Sequence, residues 1–174
     1  MKETVFEATG KRIFMKSFLS LLPLYAQIGF NIYFLVFDKT SLNQLLFINL
    51  LWGLLISFPG LRIFLNYWNK SRNTKLILKY NTITLISPNR QTELMNSDIS
   101  KIEIHEIRSD NRFPWGFYYY CTFYTEGNSI SFNHFTAEIS DIWQSSLSQK
   151  ISSDHIEHIY SWYPIMKMGS QNNS

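Results

Sequence analysis

Two long runs without a charged side chain constrain this chain more than any other feature. Ser17 to Phe37 holds 21 residues and Thr40 to Leu61 holds 22, with only Asp38 and Lys39 between them. At about 1.5 Å per residue, roughly 20 apolar residues in a helix cross a hydrocarbon core about 30 Å thick. The runs therefore predict a tight antiparallel hairpin of two membrane-spanning helices, with both ends on one side.

Three alternatives remain for these runs. Buried core helices of a soluble protein reach similar lengths. A re-entrant hairpin would suit Pro23 and Pro59, because proline removes a backbone donor and kinks a helix. A cleaved signal peptide is disfavoured, since Ala26 is the only alanine between Ala8 and Ala137 and no small-residue cleavage site follows the first run.

Basic residues flank the runs on the side of the chain ends. Positively charged flanks stay in the cytoplasm, so we expect a multi-pass protein of the bacterial inner membrane with both termini cytoplasmic. The residues before the first run are Lys11, Arg12 and Lys16, and those after the second are Arg62, Lys70, Arg72 and Lys75. The last four are candidate membrane-surface contacts, each worth about 1 kcal/mol near anionic lipid. The alternative to specific lipid binding is that these four cations only set the topology and anchor the hairpin.

Neutral polar residues lie inside the runs or near their edges: Gln27, Asn31, Asn43, Gln44 and Asn49. Hydrogen bonding between helices, or contact with another subunit, is favoured over a solute path. The runs contain no ionisable residue, which weighs against a transporter or a proton relay.

From Asn73 onward the pattern alternates between apolar and polar residues, as it does in strands. The predicted strands are 75–80, 82–87, 99–107, 117–125 and 129–133, the last two joined through Glu126-Gly127-Asn128. An amphipathic helix is predicted from Thr136 on the spacing of Ile139, Ile142, Trp143, Leu147 and Ile151, and a second from Asp154 to Trp162. We expect a membrane α-helical hairpin plus an α+β, mainly β, domain.

The segment RFPWGFYYYCTFYTEGNSISF follows the predicted two-span hairpin. In this arrangement the chain resembles small bacterial membrane proteins with a pleckstrin-homology-like (PH-like) cytoplasmic domain. The resemblance extends from Ser17 to about Ile151. The resemblance implies a bent sheet or barrel of six or seven antiparallel strands with a C-terminal helix. The expected division is a cytoplasmic N-terminal segment (1–16), the hairpin (17–68), the PH-like domain (73–163) and a flexible tail (164–174).

Catalytic and metal-binding patterns are weak. His155 and His158 flank Glu157 at helical spacing, but zinc needs three or four ligands and no cysteine pair accompanies them. Cys121 lies in an aromatic strand, where a buried, inert thiol is expected. No phosphate-binding glycine loop or nucleophile elbow occurs in the sequence. We therefore expect no catalytic activity, no metal and no cofactor.

A loop of arginine and aromatic residues is the candidate partner-binding loop: Arg108, Arg112, Phe113, Pro114 and Trp115. Closing one end of the sheet core is an equal alternative for Trp115. From Arg72 onward the chain has nine basic and ten acidic residues, so nucleic-acid binding is not expected. No small-molecule substrate is expected either. The leading hypothesis is a scaffold that binds another protein or itself. The alternatives are an accessory or protective subunit acting through its spans, and an anionic-lipid-binding module.

Overall fold

The computed structural model describes residues 3–37, 42–107, 115–143, 155–162 and 164–166. Helices and two small sheets make up most of this part of the chain. The helices are α1 (Gly10–Phe37), α2 (Leu42–Trp52), α3 (Phe58–Ser71) and α4 (Ile139–Trp143), and the strands are β1 (Thr4–Glu7), β2 (Lys75–Leu78), β3 (Thr82–Ser87), β4 (Arg90–Met95), β5 (Lys101–Glu106), β6 (Tyr120–Tyr124), β7 (Ser129–Asn133) and β8 (Ile156–Tyr160).

The two apolar runs form helices that are long and apolar enough to cross a membrane. A single π-helical turn, Gly53–Ser57, joins α2 to α3, so Leu42–Ser71 is one continuous helical segment of 30 residues. The most apolar windows of the two helices have mean hydropathies of 1.5 and 1.7, yet only 11% and 22% of their residues are buried. Most of this apolar surface therefore has no protein cover among the described residues.

The hairpin is inserted between two neighbouring strands of one sheet. β1 precedes it and β2 follows it, and the two pair antiparallel with Phe6 opposite Leu76. β1 was not among the strands predicted from the sequence, where residues 1–16 were assigned to an N-terminal segment. Four residues, Thr4–Glu7, are too few to display a strand period. The insertion attaches both ends of the hairpin to the same sheet.

Two four-stranded sheets pack around one core. The strand orders are β1-β2-β3-β4 and β7-β6-β5-β8. Their inner faces contribute buried side chains that include Leu76, Ile83, Ile102, Phe123 and Phe132, and α4 adds Ile142. We call β1 to β8 with α4 the sheet domain. Strand β4 was not predicted, because its residues are mostly polar and exposed, as suits the edge of a sheet.

The C-terminal region differs from the sequence prediction in two ways. A helix over Asp154 to Trp162 was wrong: β8 occupies Ile156–Tyr160 and pairs with β5, placing Ile156 opposite Ile102. That pair is parallel, so the expectation of purely antiparallel strands was also wrong. Ile156 and Ile159 are three apart, which mimics helical spacing, but pairing with a buried strand decides the conformation. Leu147 and Ile151 of the predicted C-terminal helix lie outside the described residues.

Candidate functional site

The hairpin and the sheet domain meet in a buried aromatic cluster, which we call the junction. Helix α1 contributes Ile13, and α3 contributes Ile63 and Tyr67. The sheet domain contributes Ile107, Trp115, Tyr118, Tyr120 and Phe135, and the C-terminal segment contributes Met166. Every member is nearly fully buried. The edge-to-face contacts among its rings, such as Tyr67 on Tyr118 at 5.1 Å between centroids, add specific geometry to this apolar burial.

Buried hydrogen bonds cross the junction. The hydroxyl oxygens of Ser20 and Tyr118 are 2.6 Å apart. The Tyr67 hydroxyl donates to the Pro164 carbonyl at 2.7 Å, and the Asn133 amide donates to the Tyr67 carbonyl at 3.1 Å. Burial raises the pKa of Tyr118 to about 12, so it stays a neutral donor at physiological pH. Buried polar groups that are paired in this way fix one arrangement of two packed elements.

His134 lies at the edge of the junction against Tyr118 and Phe135, with ring centroids 4.9 Å and 4.4 Å away. It is buried, its Nδ1 is 3.4 Å from the Tyr119 carbonyl oxygen, and its Nε2 has no protein partner. Burial lowers the pKa of His134 to about 3. The ring is therefore neutral near pH 7 and is unsuited to proton transfer there.

Ion pairs connect the start of α1 to the sheet domain. Lys16 of α1 bonds Glu138, which precedes α4, and the hydrogen bond from Lys16 holds the pKa of Glu138 below its ordinary value. Arg12, one helical turn before Lys16 on α1, pairs with Asp141 at 3.4 Å. Two cations that indicated membrane orientation in the sequence therefore also contact the sheet domain.

The four predicted membrane-surface contacts do not form one cluster of equivalent cations. Arg62 and Arg72 are exposed and Lys70 is half-buried. Lys75 pairs with Glu7 of β1 at 2.5 Å, which partly neutralises it. Anionic lipid would compete with a carboxylate for Lys75.

Of the predicted partner-binding loop, only Trp115 belongs to the described residues; Arg108, Arg112, Phe113 and Pro114 lie outside them. Trp115 is 2% exposed. Its indole N–H donates to the Trp162 carbonyl at 3.3 Å. A Cβ atom at Gly60 of α3 would lie 3.5 Å from its ring. Trp115 therefore packs against the hairpin, and partner binding by the loop stays a prediction.

Polar residues inside the hairpin bond to one another across the two helices. Asn31 and Asn49 exchange two hydrogen bonds of 2.8 Å and 2.6 Å, and Gln27 donates to Asn49 at 3.0 Å. Ser57, in the π-helical turn, donates to Gln27 at 2.7 Å. These contacts confirm the prediction of interhelical hydrogen bonding. A mainly apolar cavity of about 190 Å³ lies beside them, lined by Ala26, Gln27, Phe30, Ile48, Asn49 and Trp52.

A polar network covers the outer face of the second sheet. Glu103 accepts a hydrogen bond from the Tyr124 hydroxyl at 2.8 Å and pairs with Lys101. The His105 ring stacks on the Tyr120 ring with 4.2 Å between the ring centroids. Burial tends to raise the pKa of Glu103, but hydrogen bonds from these neighbours lower it overall. Within the described ranges, no group of three potential metal ligands occurs.

The remaining titratable residues singled out in the sequence have structural surroundings. Cys121 is buried, which confirms the expected buried thiol, and burial raises the pKa of this thiol. His158 bonds Glu106 of the neighbouring strand at 2.8 Å. His155 is exposed at the start of β8.

Two exposed aromatic residues beside the junction escaped the sequence analysis. Phe117 is 62% exposed and Trp162 is 64% exposed, although each adjoins buried junction contacts. The sequence pattern predicts Phe117 as part of a strand and Trp162 as the end of a helix. Only the aromatic density of this region signals such a surface in the sequence.

Among known protein families, the model for the PH domain matches residues 5–141 of this chain, from β1 through the inserted hairpin to α4. The match confirms the PH-like resemblance inferred from the sequence. Searches of curated proteins and of solved structures gave no match.

Proposed function

The chain belongs to the PH domain family, and we propose that it is a non-enzymatic membrane protein whose PH domain binds another protein or a second copy of itself. The hairpin holds this domain at the bacterial inner membrane. One observation carries the proposal: the two apolar helices are inserted within one sheet of the sheet domain and are packed against it. From here on, the sheet domain is called the PH domain. PH domains are commonly protein-binding or lipid-binding modules.

Membrane insertion explains the exposed surface of the hairpin. Leu35 is 71% exposed, Phe37 is 76% exposed and Phe47 is 66% exposed. A contiguous apolar surface of this kind is unfavourable in water but is expected in hydrocarbon. The bonds among Gln27, Asn31 and Asn49 satisfy the polar groups that lie at this depth.

The basic flanks favour cytoplasmic chain ends and a cytoplasmic PH domain. Arg12 and Lys16 come before the first span, and Arg62 and Lys70 lie toward the end of the second. Reporter fusions at the C-terminus and at the turn between the spans test this orientation. A C-terminal fusion active only outside the cytoplasm would overturn it.

Binding by strand addition suits the sheet edges. Strands β4 and β8 lie at the edges of their sheets, where a partner strand can pair with the backbone. Glu93 of β4 and Glu157 of β8 are exposed, so their side chains would flank such a partner. The junction holds both edges in a fixed position relative to the spans.

The experiment is site-specific photocrosslinking of the full-length chain in native membranes. A photoreactive amino acid replaces Glu93, Glu157 or, as the matched span position, Leu50, which is 62% exposed on α2. Protein adducts from position 93 or 157 support partner binding by the PH domain. Adducts from position 50 alone favour the alternative of an accessory or protective subunit that acts through its spans. Absence of adducts at all three positions would overturn both.

Binding of anionic lipid by the PH domain is the other alternative. It rests on Arg62 and Arg72, which are exposed near the end of the second span. The pairing of Lys75 with Glu7 weakens it. If Arg72→Gln and Arg62→Gln together leave the photocrosslinked partner unchanged, protein binding does not depend on these cations.

A further inference from the structure

We infer that the PH domain itself contacts the bilayer, through an aromatic rim formed by Phe117 and Trp162 that lies in the membrane–water interface. The inference rests on the proposed insertion of the hairpin and assigns a second membrane-binding element to the protein. Its occupant is the headgroup region of the same bilayer that the hairpin crosses.

The junction reaches the level of the hydrocarbon boundary. Ser20 lies 17 residues before the outer end of α1 at Phe37, and Gly60 lies 18 residues after the start of α2 at Leu42. At about 1.5 Å per residue, both are roughly 26 Å from the outer end of the hairpin, within a hydrocarbon core of about 30 Å. The residues of the PH domain that contact Ser20 and Gly60 therefore lie at nearly the same depth.

Apolar side chains on the opposite side of the hairpin support this depth. Phe18 and Leu22 flank Ser20 on α1 and are exposed, and Phe58 is exposed beside Gly60 on α3. One side of the hairpin thus presents apolar surface to the surroundings at the level where the other side is covered by the PH domain. A bilayer that covers these exposed side chains also surrounds the PH domain at that level.

Chain connectivity places the rim at the same level. Trp115 packs against Gly60, and Tyr118 bonds Ser20. Phe117 lies between these two residues in the sequence, so its backbone lies within about the length of an aromatic side chain from the hairpin. Trp162 lies next to Trp115, because the Trp162 backbone carbonyl accepts the hydrogen bond of the Trp115 indole.

The chemistry of the rim fits an interface better than water. Trp162 and Phe117 each expose more than half of their surface. Tryptophan concentrates at the headgroup level of membranes, and an exposed phenylalanine can bury its apolar ring there. Arg62, two residues beyond Gly60 and exposed, supplies a cation at the depth of the lipid phosphates. The rim and Arg62 together would hold the PH domain against the membrane surface.

Fluorescence quenching in liposomes tests this placement with the full-length protein. The variants Phe117→Cys and Trp162→Cys each add one cysteine to the native Cys121 and carry a polarity-sensitive fluorophore on the added thiol. The unsubstituted chain is the labelling blank because Cys121 is buried. Leu35→Cys on the exposed hairpin surface is the control for insertion. Glu126→Cys is the control for a position exposed to water. Strand β6 begins beside the junction and leads away from it, at about 3.3 Å per residue, to the exposed turn that contains Glu126.

The expected result is loss of fluorescence at positions 117 and 162 with lipids that carry a nitroxide near the headgroup, whereas position 126 loses fluorescence only with aqueous iodide. If position 35 is quenched by lipid but 117 and 162 behave like 126, the inference is overturned and hairpin insertion stands. Failure of lipid to quench position 35 overturns the insertion and the inference with it. Shielding of 117 and 162 from iodide without lipid quenching assigns the rim to a protein contact and also overturns the inference.

Discussion

The hydroxyl oxygens of Ser20 and Tyr118 lie 2.6 Å apart inside the junction between the hairpin and the PH domain. Ser20 donates to the Ser17 carbonyl at 2.7 Å, so the Tyr118 hydroxyl is the donor in the shared bond. A helix with the composition of a membrane span and the segment that leads into β6 are thereby joined through buried side chains. The two parts are expected to unfold as one unit.

Tyr118→Phe tests this bond. The substitution removes one donor, while Ser20 retains its carbonyl partner, so no buried donor is left unpaired. We expect a loss of about 1 kcal/mol in the free energy of unfolding, measured by thermal or denaturant unfolding in detergent micelles. Tyr160→Phe, at an exposed position, is the matched control and should have no effect. Equal effects of the two substitutions would contradict a stabilising role for the Ser20 contact.

The approach of α1 and Trp115 to Gly60 predicts a steric limit. A Cβ atom at Gly60 would lie 3.4 Å from the Ser20 carbonyl oxygen and 3.5 Å from the Trp115 ring. Alanine fits at ordinary contact distance, but Gly60→Leu should destabilise the protein by roughly 1–3 kcal/mol through overpacking. Gly29→Leu is the control, since nothing lies within 4 Å of its Cβ position. Melting temperatures of the two variants provide the comparison; equal values would show that the junction adapts freely.

The limits of sequence reasoning follow from the same contacts. Ser17 to Phe37 predicts a helix because a charge-free run of that length has few other solutions. The pairing of Ser20 with Tyr118 joins residues 98 positions apart, and no local period reports it. In β8, Ile156 and Ile159 have helical spacing, but contact with β5 determines their conformation. β1 is short, and only its pairing with β2 across the inserted hairpin identifies it.

The polar cluster of the hairpin predicts a cost for apolar replacement. Asn49→Leu removes the partner of Asn31 and Gln27, leaving polar groups unpaired inside the hairpin. We expect destabilisation of roughly 1 kcal/mol in micelles or bilayers, read from thermal unfolding or from protease sensitivity. Asn43→Leu, at an exposed position of α2, is the matched control. Greater stability of Asn49→Leu than of the wild type would indicate that the cluster serves a purpose other than packing the hairpin.

The pair between Lys16 and Glu138 predicts a pH-dependent contribution to stability. The pKa of Glu138 is lowered in the folded protein by the hydrogen bond from Lys16. Its contribution is therefore fully present above the ordinary value of 4.5 and is lost as the pH falls through the folded value. We expect Glu138→Gln to lower stability by about 0.2–1 kcal/mol at pH 7. The difference from wild type should shrink below pH 4.5, whereas Glu126→Gln should show no difference at either pH; a pH-independent difference for Glu138→Gln would contradict the assignment.

The buried ring of His134 predicts acid sensitivity of the junction. Burial lowers its pKa in the folded protein from 6.5 to about 3, so the unfolded chain binds the proton first as the pH falls. Stability should therefore decline as the pH falls from 6.5 toward 3. His134→Phe keeps an aromatic ring against Tyr118 and removes the unpaired Nε2, so its stability should fall less steeply over this interval. Acid titration followed by near-ultraviolet circular dichroism measures both slopes, with exposed His155→Phe as the control. If the slope for His134→Phe equals that of the wild type, acid sensitivity arises from the carboxylates that pair with Arg12, Lys16 and their neighbours, because His134 then binds its proton equally in both states.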